Sequence, residues 1–183
     1  LDELKLTENT IVVFFSDHGY HLGHHGLWQK SDLFEGSARV PMIISVPGAK
    51  PVGKKSASLV ELIDLYPTLS ELCGLDKLEH LKGKSLVPIL GDSTKSVREA
   101  AFTVTRARGK LPKKLMRQKP LGRTIRTARY RYTEWGEDGK HGVELYDYKT
   151  DPDEYINLAR RKGNEPLVKL MQTKLHATRS YTR

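Results

Sequence analysis

The sequence predicts a mixed α/β fold, the closing part of an α/β layer followed by a small antiparallel β-sheet subdomain with a C-terminal helix. Three observations lead there. The run Ile11-Val12-Val13-Phe14-Phe15 is continuously apolar and rich in β-branched and aromatic residues, the pattern of a strand buried on both faces. Residues Ile125 to Tyr132 alternate in character, which suits a sheet with one wet face. Asn164 with Pro166 then opens an amphipathic helix whose stripe is Leu167, Leu170, Met171 and Leu175.

The elements follow in order. The first apolar run stops at Ser16-Asp17-His18-Gly19 and passes into a Gly/His-rich loop reaching Lys30. A second strand spans Val40 to Val46 and is closed by Pro47-Gly48; Pro41 is tolerated because a strand's first residues can do without an N–H. Residues 58–74 read as helical, and Pro67 decides where the helix starts. A cap at Ser58 would leave Pro67 in the interior at a cost of roughly 3 kcal/mol. A cap at Asp64 places it in the first turn, with Gly74 as the stop. The second arrangement is preferred, with Leu65, Leu69, Leu72 and Cys73 on one side. Past Gly91 the texture changes, and Ala100–Arg106, Thr124–Thr133 and Val143–Tyr146 read as short strands. The expected division is therefore residues 1–95, the α/β part, and 96–183, the sheet with its helix.

At 183 residues, 38% of them hydrophobic, the chain suffices for one packed domain or a piece of a larger one. No run of 18 apolar residues occurs, which removes a membrane-spanning helix. The chain begins at Leu1 rather than Met, so the lack of a leader carries no weight about export. A single cysteine, Cys73, excludes an internal disulfide framework. The formal charge of +9 is local. Between Ala100 and Thr133 stand eleven Lys or Arg and no acid, whereas the other 149 residues carry 20 basic and 22 acidic side chains. The block 106–131 is either a solvated face or a surface that attracts a polyanion.

Asp17-His18 directly follows a buried-type strand, at the carboxyl end where open α/β sheets gather ligands. A carboxylate beside an imidazole, then a glycine, can present both to one cation. Taken alone, such a pair is more often a turn acid and a hydrogen-bonded histidine. The wider stretch carries more. Ser16-Asp17-His18-Gly19, then Leu22-Gly23-His24-His25-Gly26, then Lys30, then Phe34-Glu35-Gly36 and Val40-Pro41 run in fixed order. This resembles the metal-and-sulfate loop of type I sulfatases, members of the alkaline-phosphatase superfamily. Four later blocks agree: Leu62–Leu69, Gly83–Leu86, Ile125-Arg126-Thr127, and Glu144–Asp147 with Asp151-Pro152. Ile125-Arg126-Thr127 with Tyr130–Thr133 and Trp135 looks most like iduronate-2-sulfatases.

The resemblance implies hydrolysis of sulfate esters by a formylglycine nucleophile beside a calcium ion. That ion is held by two early Asp residues, the formylglycine and a later Asp-Asn or Asp-His pair. Asp17 and His18 match the later pair, and Lys30 matches the lysine that contacts the sulfate. The nucleophile motif, C/S-x-P/A-x-R, does not occur in the chain; Cys73 lies outside any such pattern and reads as core. Calcium prefers oxygen, so His18 is an unusual ligand. His18, His21, His24 and His25 raise a zinc reading, but their spacing fixes no tetrahedral site. His25 matches a loop-organising position, and His21 and His24 read as solvated. Trp28 and Tyr20 suit either a sugar pocket or loop packing. Arg126 and Arg129 read as structural ion pairs ahead of sugar contacts.

The expectation is thus a sulfuric ester hydrolase acting on a sulfated saccharide, without nucleic-acid partners, in a secreted, periplasmic or lysosome-like setting. This chain would be its C-terminal portion, inactive without the N-terminal half. A phosphoesterase or phosphonate hydrolase of the same superfamily is the first rival. A non-catalytic polyanion-binding module built on 106–131 is the second.

Overall fold

In the computed structural model, residues 1–50, 53–76, 78–107, 117 and 119–178 are described. They fall into two compact units, Leu1–Asp17 with Val40–Glu99, and His18–Arg39 with Ala100–Arg183. The division expected at residue 95 leaves 18–39 with the first part; by contacts this segment groups with the C-terminal residues.

In the first unit, β1 (Val12–Phe15) pairs antiparallel with Met42–Ser45, Phe14 standing opposite Ile43 and Val12 opposite Ser45. The expectation of a strand buried on both faces is corrected: Val12, Phe14, Phe15 and Ile43 are all exposed. One partner strand pairs a single edge of β1; within this unit no layer covers the face of Val12, Phe14 and Ile43, and Phe15 is exposed on the opposite face. The second strand is also shorter than expected, beginning after Pro41, which has no N–H to give.

Further along, a 3₁₀ turn at Leu62–Asp64 runs into a helix at Leu65–Leu72, with Pro67 in its first turn and Gly74 at φ +65° ending it. The start and stop are as the sequence predicts, but the Asp64 side chain makes no cap bond to the α-helix and instead forms a capping box with Glu61 on the preceding 3₁₀ turn. Its carboxylate accepts the backbone N–H groups of Glu61 and Lys84, both at 2.8 Å, and pairs with Arg98. Asp64 is fully buried and acts as a clasp that ties the helix start to Gly83–Lys84 and to the segment before residue 100. A Cβ on Gly83 would overlap the Ile63 carbonyl, so only glycine fits this crossing. Cys73, read as core, is exposed at the end of the helix. It falls past the last helical turn, off the buried side of Leu65.

The second unit begins with a hairpin of β2 (His21–Leu22) and β3 (Trp28–Gln29), then the short α1 (Glu35–Ala38). The strand Met42–Ser45 of the first unit is β4, its helix Leu65–Leu72 is α2, and Val87–Gly91 is α3. The second unit resumes with β5 (Ala100–Arg106), β6 (Leu121–Thr127), β7 (Tyr130–Trp135) and β8 (Val143–Asp147), paired antiparallel in that order. Thr124–Thr133, read as one strand, is two. The chain reverses at Ala128-Arg129, where the Thr127 hydroxyl accepts the Tyr130 N–H at 3.0 Å and donates to the Tyr130 carbonyl at 3.1 Å. A threonine clamp replaces the Gly or Asn that usually signals such a turn.

Strand period then sorts the side chains. Phe102, Ile125, Tyr132 and Leu145 stand opposite one another across four strands. Ile125, Tyr132 and Leu145 form the core with Met171 and Leu175 of α4 (Glu165–His176). In the expected stripe of α4, Leu170 is exposed and Val168 packs instead. The opposite row holds Arg126, Arg131 and Tyr146. It is not the wet face the alternation suggests, because Arg131 is 2% exposed, held by Glu35 of the segment 18–39 together with Tyr148 and Glu154. Among the described residues no helix is long and apolar enough to cross a membrane.

Candidate functional site

The segment His18–Arg39 carries two of the three site residues that the sequence picks out. It is stapled at several points. Gly19 donates its N–H to the Ser37 carbonyl at 2.9 Å, and a Cβ there would overlap the Gly36 carbonyl. The crossing therefore requires glycine on steric grounds. His21 turns inward and is 1% exposed, correcting its reading as solvated. Its Nε2 meets the Asp32 carboxylate at 3.0–3.1 Å. Gly36 is pressed against the same imidazole, where a Cβ would come within 2.6 Å of Cε1. Asp32 also accepts the Phe34 N–H at 2.9 Å and the Ser37 hydroxyl at 2.8 Å. His25 stacks on Phe34 with ring centroids 4.1 Å apart and lies 4.9 Å from the Tyr155 ring.

Within this frame the Lys30 ammonium donates to His18 Nε2, across 12 residues of sequence. His18 Nδ1 lies 2.8 Å from the Gly19 carbonyl oxygen. A carbonyl only accepts, so Nδ1 carries the proton and the lone pair is on Nε2, the atom that meets Lys30. That tautomer is the one a metal-ligating imidazole needs, its second nitrogen fixed on a carbonyl. Asp17, exposed, is the last residue of the first unit's opening stretch and directly precedes His18. Among the described residues no three His, Cys, Asp or Glu side chains gather as a metal site. Asp17 and His18 offer one carboxylate and one imidazole, donors that fit part of a calcium shell but fall far short of the 6–8 oxygens the ion typically takes.

Below the segment lies a buried ion cluster that sequence reasoning missed. Glu35 accepts from the Arg131 guanidinium and, at 3.3 Å, from Arg126 Nε. Arg131 Nε also donates to Glu154 at 2.6 Å and to the Tyr148 hydroxyl at 2.9 Å. The Glu35 backbone N–H completes the ring by donating to Glu154 at 2.7 Å. Burial works against the charge on Arg131, yet Tyr148, Glu154 and Glu35 together hold its pKa above the usual arginine value. Burial pushes the Tyr148 hydroxyl well up, so it stays protonated. Two members were signalled beforehand, Arg126 by its reading as an ion-pair residue and Glu35 by its place in the Phe34-Glu35-Gly36 block.

Comparison with known proteins now adds to this geometry. The family pattern described as N-sulphoglucosamine sulphohydrolase, C-terminal, matches residues 23–181. The chain belongs to the sulfatase family. A sulfatase of Formosa agariphila is 33% identical over 97% of this chain, which covers 33% of that protein. The structure of BT4656 in complex with its substrate D-glucosamine-2-N,6-O-disulfate superposes with a TM-score of 0.85 at 27% identity, over 98% of this chain and 36% of that one. The phosphonate monoester hydrolase of Agrobacterium radiobacter gives 0.84 at 28% identity, over 99% and 37%. The chain thus spans about a third of the length of the relatives it matches.

In this sulfatase chain the basic block is partly consumed by structure. Arg126 and Arg131 serve Glu35, and Arg129 holds Asp147 in a two-point contact of 2.7 and 2.9 Å. Both arginines read as structural, Arg126 and Arg129, are found in ion pairs. Residues 108–116 and 118 of the block lie outside the described residues. Trp28 is 69% and Tyr20 55% exposed, and neither is packed into the loop as core.

Proposed function

We propose that this chain is the C-terminal portion of a sulfuric ester hydrolase acting on a sulfated saccharide. In this reading Lys30 contacts the sulfate, and Asp17 and His18 supply part of a calcium shell completed by the N-terminal half. One observation carries it: the Lys30 ammonium and the His18 Nε2 lone pair meet at one point on a segment stapled by Gly19, Asp32 and His21. A cation and an ammonium converging there suit an anion with several oxygens. Calcium, when bound, neutralises sulfate oxygens as a Lewis acid. The chain's own part is to hold a positive nitrogen where charge builds on the sulfate in the transition state. Carriage of D-glucosamine-2-N,6-O-disulfate by a solved relative supports a sulfated sugar as substrate.

The apolar face of Val12, Phe14 and Ile43, with Phe15 exposed on the opposite side, supports the N-terminal half as partner, since a run written for two covering layers stands uncovered in this unit. The iduronate-2-sulfatase likeness is the finer reading. It rests on Ile125–Thr127 and Tyr130–Trp135, whose Arg126 and Arg131 face Glu35. A panel of 2-O-, 6-O- and N-sulfated saccharides on the full-length enzyme tests it.

The deciding experiment for the class is turnover by the full-length protein of a sulfate ester against the matching phosphonate ester. Sulfate turnover that is lost in Lys30→Ala supports the reading. The phosphonate hydrolase likeness favours a second reading on the same residues, and preference for the phosphonate would establish it.

A further inference from the structure

The segment that carries Lys30 is fastened to the C-terminal sheet at Glu35, and that attachment has a consequence for the chemistry. Glu35 meets the C-terminal part with both backbone and side chain: its N–H goes to Glu154, in the loop after β8, and its carboxylate to Arg131 and Arg126 of the sheet. The receiving side is buried. Arg131 and Glu154 are each 2% exposed, and Arg131 stands in a four-stranded register between Arg126 and Tyr146. From Glu35 the constraint passes upward in two steps. Gly36 and Ser37, the next residues, receive Gly19 by the 2.9 Å backbone bond and press on the His21 ring. Asp32, held by Phe34 N–H and Ser37, grips that ring and stands two residues from Lys30.

The geometry points to Glu35 as a positioning residue: through Arg131 and Glu154 it sets where His18 and Lys30 stand. This assignment rests on the reading of Lys30 as the sulfate contact. Glu35 and Glu154 face the guanidiniums of Arg131 and Arg126, and the exposed Arg39 stands 3.8 Å from Glu35 as well, so each carboxylate has a cationic partner. Neutralising Glu35 removes the negative charge that holds Arg131 and Arg126 on the segment's side, while Arg131 stays bound to Glu154 and the residue's backbone N–H keeps its own bond to Glu154. The segment's side-chain hold is then weakened without disturbing the Arg131–Glu154 pair. Sub-ångström placement matters here, because a misplacement of about 1 Å can cost on the order of 100-fold in rate.

The test uses the full-length protein with Glu35→Gln, Lys30→Ala, the double variant and Glu35→Asp. Glu35→Gln should lower kcat on a sulfated saccharide by up to about 100-fold, with recovery in Glu35→Asp. The double variant should be no worse than Lys30→Ala, because the two act through one contact. Losses that multiply in the double variant would overturn the assignment. Amide hydrogen exchange supplies an arm independent of activity. In Glu35→Gln, protection at Gly19 and Gly23 should fall while the β6–β7 amides keep theirs. Unchanged protection at those glycines overturns positioning even if the protein proves to be no sulfatase. Should Glu35→Gln fail to fold, Arg126→Gln, which removes only the half-buried donor, is read by the same exchange and kinetics with the same outcomes.

Discussion

The Lys30 ammonium donates to His18 Nε2, and the other nitrogen of that imidazole is committed to the Gly19 carbonyl. The two side chains proposed for sulfate and for metal are thus neighbours before any ligand arrives. If Lys30 stabilises developing charge, Lys30→Ala in the full-length enzyme should lose about 2.7–4 kcal/mol of transition-state stabilisation, on the order of 100- to 1000-fold in kcat. Its melting temperature should not move, since Lys30 is exposed. Steady-state kinetics beside a thermal melt check this; a normal kcat with an unchanged melt would put the contact on another residue.

Calcium affinity should be split in the same way as the shell. The 183-residue chain alone should bind calcium only weakly in calorimetry and should not turn over an aryl sulfate, having neither the remaining oxygen ligands nor the nucleophile motif. In the full-length protein, Asp17→Asn should weaken calcium binding and make activity depend on added calcium. Tight calcium binding by the isolated chain would contradict the shared-shell reading.

Arg98 and Asp64 make a different kind of prediction. Asp64 is fully buried and takes two backbone N–H groups besides Arg98, whose side chain is 8% exposed. Removing the arginine leaves a buried carboxylate without its counter-charge, so Arg98→Ala should destabilise by about 3–5 kcal/mol. Replacing the carboxylate as well, in Arg98→Ala with Asp64→Asn, should recover part of that loss. Denaturant midpoints of the single and double variants decide it.

Glu144 lends the fold a pH dependence of definite sign. Burial raises its pKa above 4.5, against the hydrogen bonds from Trp135 and Tyr146 that lower it. A carboxyl with a raised folded pKa binds its proton more tightly when folded. Its stabilising contribution is therefore present below pH 4.5 and is lost as pH climbs through the folded pKa. Glu144→Gln keeps an acceptor for the Trp135 N–H, which the glutamate takes at 2.8 Å. The variant should show a flatter melting curve against pH above about 4.5, with its gain in stability greatest near neutrality. An identical pH profile in both proteins would mean that Glu144 is not ionising in this range.

Asp147 runs the opposite way. The two-point hydrogen bond from Arg129 holds its carboxyl below the usual value of 3.8. Its contribution is present above that pH and fades as pH falls through the folded pKa. Arg129→Ala should therefore destabilise at pH 7 and make little difference at pH 2. Thermal melts at the two pH values test this.

Much of this protein was legible in one dimension. Strand β5 occupies Ala100–Arg106 as its composition indicates, and α2 starts after Asp64 because a proline tolerates only the first helical turn. The order of Asp17, His18, Lys30 and Phe34-Glu35-Gly36 identified the family, since those residues lie close together in the chain. Tertiary structure decided what depends on partners far apart. Arg131 reads in sequence as part of a solvated basic face, yet it is buried against Glu35, 96 residues earlier, and Glu154. His21 reads as a solvated loop histidine and becomes a buried strut because Asp32 and Gly36 close on its ring. The apolar run at β1 describes a strand meant for two covering layers, and only packing shows Phe14 exposed on one face and Phe15 on the other. Local propensity and motif order act over a few residues; the pairing of a buried charge with its counter-charge is fixed only when the chain returns on itself.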